Sequence, residues 1–165
     1  MDDFALMGRA LELAELALKE GEFPVGCLIG LHGEILVEAR RENSGGSLPS
    51  EISHAEILAI KKLEEKIPLK ERQACTLYST MEPCLMCYAA ILLSGIGKIV
   101  WAYEDVMGGG TSVTNLAPLY MERKPEILPR FRRKESLALF KRFFENPHTG
   151  YWKESLLARH TLETS

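Results

Sequence analysis

With 165 residues, 46% of them hydrophobic and 26% charged, the chain has the make-up of an ordinary globular protein and the length for one well-cored domain spanning 1–165. No apolar run reaches the roughly 18 residues of a membrane span, and Asp2 and Asp3 stand where a secretory signal carries basic residues, so a cytoplasmic protein without membrane association is expected. The net charge of −3 conceals an asymmetry: between Glu122 and Arg142 eight basic residues face three acidic ones, a local +5 that leaves −8 for the rest and reads either as a solvated face or as a phosphate-contacting strip.

Phe4, Leu6, Met7, Leu11, Ala14 and Leu18 recur with helical spacing and predict a helix from Asp3 to Lys19, stopped by Gly21. Val25 to Leu31 and Glu34 to Ala39 read as strands joined into a hairpin at His32-Gly33, with Cys27 a small core hydrophobe. Arg41 to Ser53 has loop composition and runs straight into His54, a natural wall for a pocket. His54 to Leu63 predicts a helix capped by Ser53, with His54 and Glu56 in its first turn. After a charged connection broken by Pro68, Ala74 to Thr80 reads as a strand. Pro83 suits the first turn of the next helix, which sets Cys84 and Cys87 one above the other at i and i+3.

That helix closes at Gly95, and Lys98 to Tyr103 is a fourth strand. Gly108-Gly109-Gly110 follows as a flexible lid or binding rim. Pro125 to Pro129 is a fifth strand hindered by its prolines. Arg133 to Phe144 is helical, and His148 to Arg159 forms a last helix within a tail, 146–165, whose Tyr151-Trp152 packs over the domain. This alternation predicts an α/β fold, a three-layer α-β-α sandwich around a five-stranded mixed sheet.

One imidazole and two thiolates, His54, Cys84 and Cys87, make a ligand set suited to tetrahedral Zn2+ with its fourth position open. Water at such a position ionises near neutral pH. Glu56, two residues from the histidine, can move protons beside it without being a ligand. A purely structural zinc takes four protein ligands, and Cys27, Cys75, His32, His148 and His160 lack the local spacing of a fourth.

The pattern His54-Ala55-Glu56 followed by Pro83-Cys84-Leu85-Met86-Cys87 resembles the zinc signature of the cytidine deaminase-like superfamily. Phe23-Pro24-Val25-Gly26, Asn43, Glu82, Asp105 and Phe143-Phe144 bring it closest to the tRNA adenosine deaminases, over roughly residues 4 to 145. That resemblance implies a cytidine deaminase-like fold and hydrolytic deamination of a nucleobase. It implies zinc on His54, Cys84 and Cys87, Glu56 as proton shuttle, and a homodimer. Around the substrate it implies Pro24, Val25, Asn43, Ala55, Glu82, Pro83 and Asp105. The chain departs from the tRNA-editing members in having Glu51-Ile52-Ser53 before the histidine, in its acidic balance, and in lacking a histidine-bearing stretch between Pro118 and Pro129. Three readings follow: adenosine-to-inosine conversion in tRNA, with the tail touching RNA; deamination of a free base such as guanine or cytosine, with the tail covering the pocket; and a non-catalytic zinc-bearing RNA-binding subunit.

Overall fold

The three inner strands are buried almost throughout, and alternate residues enter different apolar clusters on the sheet's two faces. In the computed structural model, which describes residues 1–165, β1 (Gly26–Leu31), β2 (Glu34–Arg40), β3 (Cys75–Met81), β4 (Lys98–Tyr103) and β5 (Glu126–Leu128) form one sheet in the order β2-β1-β3-β4-β5. β1 runs antiparallel to β2 and β3, whereas β3, β4 and β5 are parallel. Leu28, Tyr78 and Val100 turn to one face and pack beneath α1 (Asp3–Lys19). Cys27, Ile29, Leu77, Ile99 and Trp101 turn to the other, beneath α2 (Ala55–Glu64) and α3 (Leu85–Ser94). A period of two in the strands therefore feeds two separate apolar clusters, and the three-layer sandwich follows.

α1 lies so close to β1 that a Cβ on Gly26 would sit within the backbone of Ala10 and Ala14, so only glycine lets the helix seat there. α5 (Arg133–Glu145) supplies Phe140, Phe143 and Phe144, which meet Phe23 edge-to-face with centroids 5.1, 5.2 and 6.1 Å away.

Several local expectations are corrected. α2 is capped not by Ser53 but by His54, whose extended backbone (ψ 147°) ends the loop; the Ser53 hydroxyl turns back to Ser50 Oγ at 3.0 Å. α3 begins at Leu85, so Pro83 lies outside it and Cys84 is its N-cap. The last helix is α6 (Leu156–Glu163), not 148–159. Pro147, Gly150 and the left-handed backbone of Trp152 (φ 54°) keep the preceding stretch in turns, and Ser155 caps the helix by accepting from Ala158 N. A one-turn helix, α4 (Pro118–Met121), escaped the periodicity test because four residues carry no period.

Gly108–Gly110 is a seated strap, not a lid. Leu85 N donates to Gly108 O (3.0 Å), Gly110 N donates to Pro83 O (2.9 Å), and Gly109 bridges Cys84 in antiparallel fashion. β5 is a three-residue edge strand between its two prolines, as their missing donors require. No helix is long and apolar enough to cross a membrane.

Of the basic strip, Arg132 pairs with Glu135, Arg133 with Glu104 and Arg142 with Glu15, and Arg123 donates to the carbonyls of Leu92 and Leu93. Half of its cations are thus committed within the fold, which favours the solvated-face reading.

Candidate active site

Both helices of the second layer start at one point. His54, the N-cap of α2, and Cys84 and Cys87, the N-cap and third residue of α3, converge until their ligand atoms all lie within 4.8 Å of one another. Nδ1 of His54 stands 3.6 Å from Cys84 Sγ and 3.4 Å from Cys87 Sγ. Two ligands on tetrahedral zinc, at bond lengths of about 2.3 Å to sulfur and 2.0 Å to nitrogen, are about 3.5 Å apart. The donor set and its spacing therefore fit zinc, with no fourth protein ligand in the group.

Shared hydrogen bonds couple the protons of the three donor groups. Helix N-termini carry partial positive charge, which favours thiolates at the start of α3. A hydrogen bond with Cys87, reinforced by His54, draws the Cys84 thiol down to about 4 against the opposing effect of burial. The shared bond and burial push Cys87 up. His54 is raised, chiefly by its bond to Cys84.

Glu56, the second residue of α2, is buried with 4% exposure. Its Oε1 accepts from Ser79 Oγ at 2.8 Å, and its Oε2 lies 3.6 Å from Cys87 Sγ. Burial, then the charge on Cys84, raise its pKa above the ordinary carboxylate value. A carboxylate so held is placed to receive and return a proton.

The corner forms the floor of a cavity of about 380 Å³. Of the residues expected around a substrate, Val25, Ala55, Glu82 and Asp105 line it, along with His54, Glu56 and Cys84. Asp105 presents its carboxyl there while Oδ1 accepts from Met107 N and Gly108 N; burial pushes its pKa up. Glu82 spends both oxygens on the fold, accepting from Asp105 N (3.2 Å) and the Thr111 hydroxyl (2.5 Å).

Asn43, Pro24 and Pro83 do not line the cavity. Asn43 is exposed in a left-handed conformation (φ 52°) and donates to Leu48 O at 3.0 Å, closing its own loop as a turn-forming asparagine does. Pro24 is buried at the entrance to β1, and the Pro83 carbonyl holds the glycine strap.

The spacing of motifs gave no sign of two further residues, Arg41 and Ser79, whereas Tyr151 stands over the pocket as the free-base reading expects. Arg41 is 2% exposed, the largest fully buried side chain, yet it forms no salt bridge. Its guanidinium donates to the carbonyls of Glu42, Ser50 (2.5 Å) and Ser53 (3.0 Å), so the loop 42–53 is folded around it. The Tyr151 ring lies over it at 5.7 Å, and Tyr151 OH donates to Glu51 Oε2 at 3.1 Å, latching the tail to the loop above the cavity. Ser79 is hidden in a buried strand; the one available signal is a hydroxyl interrupting the apolar side of Cys75–Met81. Tyr151, Trp152 and Leu157 do line the cavity, so the tail covers it.

The family model of the cytidine and deoxycytidylate deaminase zinc-binding region matches residues 1–103. The chain is 42% identical to a tRNA-specific adenosine deaminase of Aquifex aeolicus, over 65% of this chain and 70% of that one. To a tRNA-specific adenosine deaminase of Bacillus subtilis it is 31% identical, over 86% and 88% of the two chains. A structure solved in work on A-to-I editing by tRNA:A34 deaminases at the wobble position superposes with a TM-score of 0.68 at 26% identity, covering 81% of this chain and 96% of that one.

Proposed function

We propose that this chain, which belongs to the zinc-binding cytidine and deoxycytidylate deaminase family, converts adenosine to inosine within tRNA, releasing ammonia. The observation that carries the reading is Glu56 Oε2 beside a three-donor zinc corner at the floor of a largely apolar cavity. The two tRNA-specific relatives supply the substrate class.

Zinc is the cofactor, and when bound it supplies a water acidic enough to act as a nucleophile near neutral pH. Glu56 takes the proton lost from that water and passes it to the ring nitrogen next to the amine-bearing carbon. Once the new carbon–oxygen bond has formed, the same carboxylate takes the proton of the newly attached hydroxyl and delivers it to the amine as the carbon–nitrogen bond breaks, leaving a carbonyl. One water is consumed and one ammonia leaves. Val25, Met86 and Met107 offer the base apolar contact, and burial keeps bulk water from competing for the Glu56 proton.

Leu85, Met86 and Leu93 on α3, with Val106, Met107 and Val113 beyond β4, are exposed apolar residues and support a homodimer through this side. A single domain over 1–165 acting in the cytoplasm completes the reading.

Tyr151, Trp152 and Leu157 over the cavity favour a second reading, deamination of a small free base that fits beneath the tail. Ammonia release by the zinc-loaded protein separates the two. An adenosine-bearing anticodon stem-loop would be offered beside free guanine, cytosine, adenine and their nucleosides. Turnover confined to the RNA is expected; turnover of a free base alone replaces the first reading with the second, and no ammonia from any of them overturns both.

A further inference from the structure

We infer that Ser79 is the positioning residue that fixes the orientation of the Glu56 carboxylate, with one oxygen held back and the other toward the metal corner, an inference that rests on the deaminase reading above. A carboxylate turns on a broad terminal torsion, so nothing within a lone buried glutamate fixes the plane of the group. Here a hydrogen bond fixes it. Ser79 lies in β3, with Cys27 and Trp101 as its register partners, and is 0% exposed. Its neighbours on that side of the sheet are apolar, among them Leu77, Met81, Ile99 and Trp101.

A hydroxyl in such a place costs about 1–3 kcal/mol unless it is bonded. Its side-chain partner is Glu56 Oε1, at 2.8 Å. Pinning Oε1 leaves Oε2 on the side of Cys87 Sγ, 3.6 Å away, beside the three-donor corner. The hydroxyl can donate only one hydrogen, so it holds one oxygen and leaves the other free to work. Ser79 acts through Glu56 and does not reach the substrate: it is absent from the residues lining the cavity.

The cleanest test compares Ser79→Thr with Ser79→Val, two side chains of one shape with and without the hydroxyl, and adds Ser79→Ala. With the anticodon stem-loop, or whichever member of the panel releases ammonia, Ser79→Val and Ser79→Ala should lose about 10–100-fold in kcat. KM and zinc content should be unchanged, and Ser79→Thr should restore kcat. In a Glu56→Gln background, Ser79→Ala should cost nothing further, because the residue it positions is gone.

A crystal structure of the zinc-loaded Ser79→Ala protein should show the Glu56 carboxylate turned from its native orientation. Wild-type kcat in Ser79→Ala and Ser79→Val, failure of Ser79→Thr to restore it, or an equal further loss in the Glu56→Gln background each overturns the assignment. Normal turnover by Glu56→Gln alone would sink the deaminase mechanism and this inference with it. An inert Glu56→Gln beside fully active Ser79 variants removes only the inference.

Discussion

At the floor of the cavity, His54, Glu56, Cys84 and Cys87 come from the first turns of two helices, within 33 positions of sequence, and are held by the packed sheet beneath them. At its mouth, Arg41, Glu51, Asp105, Met107, Tyr151 and Trp152 come from three separate connections, with Tyr151 reaching Glu51 across 100 positions. The floor is rigid because helix starts and buried hydrogen bonds fix it before any ligand arrives. The mouth rests on loop carbonyls gathered by one guanidinium and on a tail latched by one hydroxyl. Chemistry is built from neighbours on regular elements; substrate choice is built from strangers on loops.

Replacing Glu56 with Gln breaks the floor and nothing else. Turnover should fall about a thousandfold or more, while metal analysis should find zinc at the wild-type level and the fold intact. Replacing Cys87 with Ala should abolish tight zinc binding and lower the melting temperature of protein purified with zinc, because metal binding and folding are linked.

Arg41→Met attacks the mouth instead. It keeps the aliphatic stem but leaves the carbonyls of Glu42, Ser50 and Ser53 without their donor. A loss of about 3 kcal/mol in urea unfolding is expected, with KM raised more than kcat is lowered. Equal damage to zinc content would show that mouth and floor are not separable.

The smallest effect concerns the outer support of the mouth. Glu104 precedes Asp105 and is held by Arg133 through a two-pronged contact at 2.7 and 2.8 Å, with His160 at 3.7 Å. Burial pushes its carboxyl up, but the bond from Arg133 and other attractions outweigh it and leave the pKa below its ordinary value of 4.5. A lowered carboxylate pKa stabilises the fold above that value, and the gain disappears as the pH falls through the folded one. Glu104→Gln should therefore cost under about 1 kcal/mol at pH 7, and the two unfolding curves should converge as the pH falls below 4.5. A difference that persists in acid would assign the effect to shape, not charge.

The same division governs what could be read from residues alone. The helix of 3–19, the hairpin, the sheet's strands and the zinc ligands all announce themselves through local spacing. The helix and the strands depend on neighbours a few positions apart, and the metal set on two short motifs 30 positions apart, at His54 and Cys84. Ser79 and Arg41 do not: a serine in a strand and an arginine at a strand's end look ordinary until folding brings Glu56 against one and the tail over the other. Asn43 misled in the opposite direction, because a side chain able to read a base is equally able to close a turn. The basic strip reads equally as a solvated face or as a surface for phosphate, because its partners Glu15 and Glu104 lie outside residues 122–142 and leave no mark in local spacing.

Three successive glycines suggested freedom, and their packing has a consequence for heredity. A Cβ on Gly109 would stand 2.5 Å from Glu82 Oε1 and 2.7 Å from Asp105 O; one on Gly110 would stand 2.8 Å from Leu85 Cα. Every single-base change in a glycine codon that yields another amino acid adds that carbon. Among naturally occurring variants of this chain, positions 109 and 110 should therefore be gaps in the record of tolerated change, while Gly45, with open space around it, collects substitutions freely.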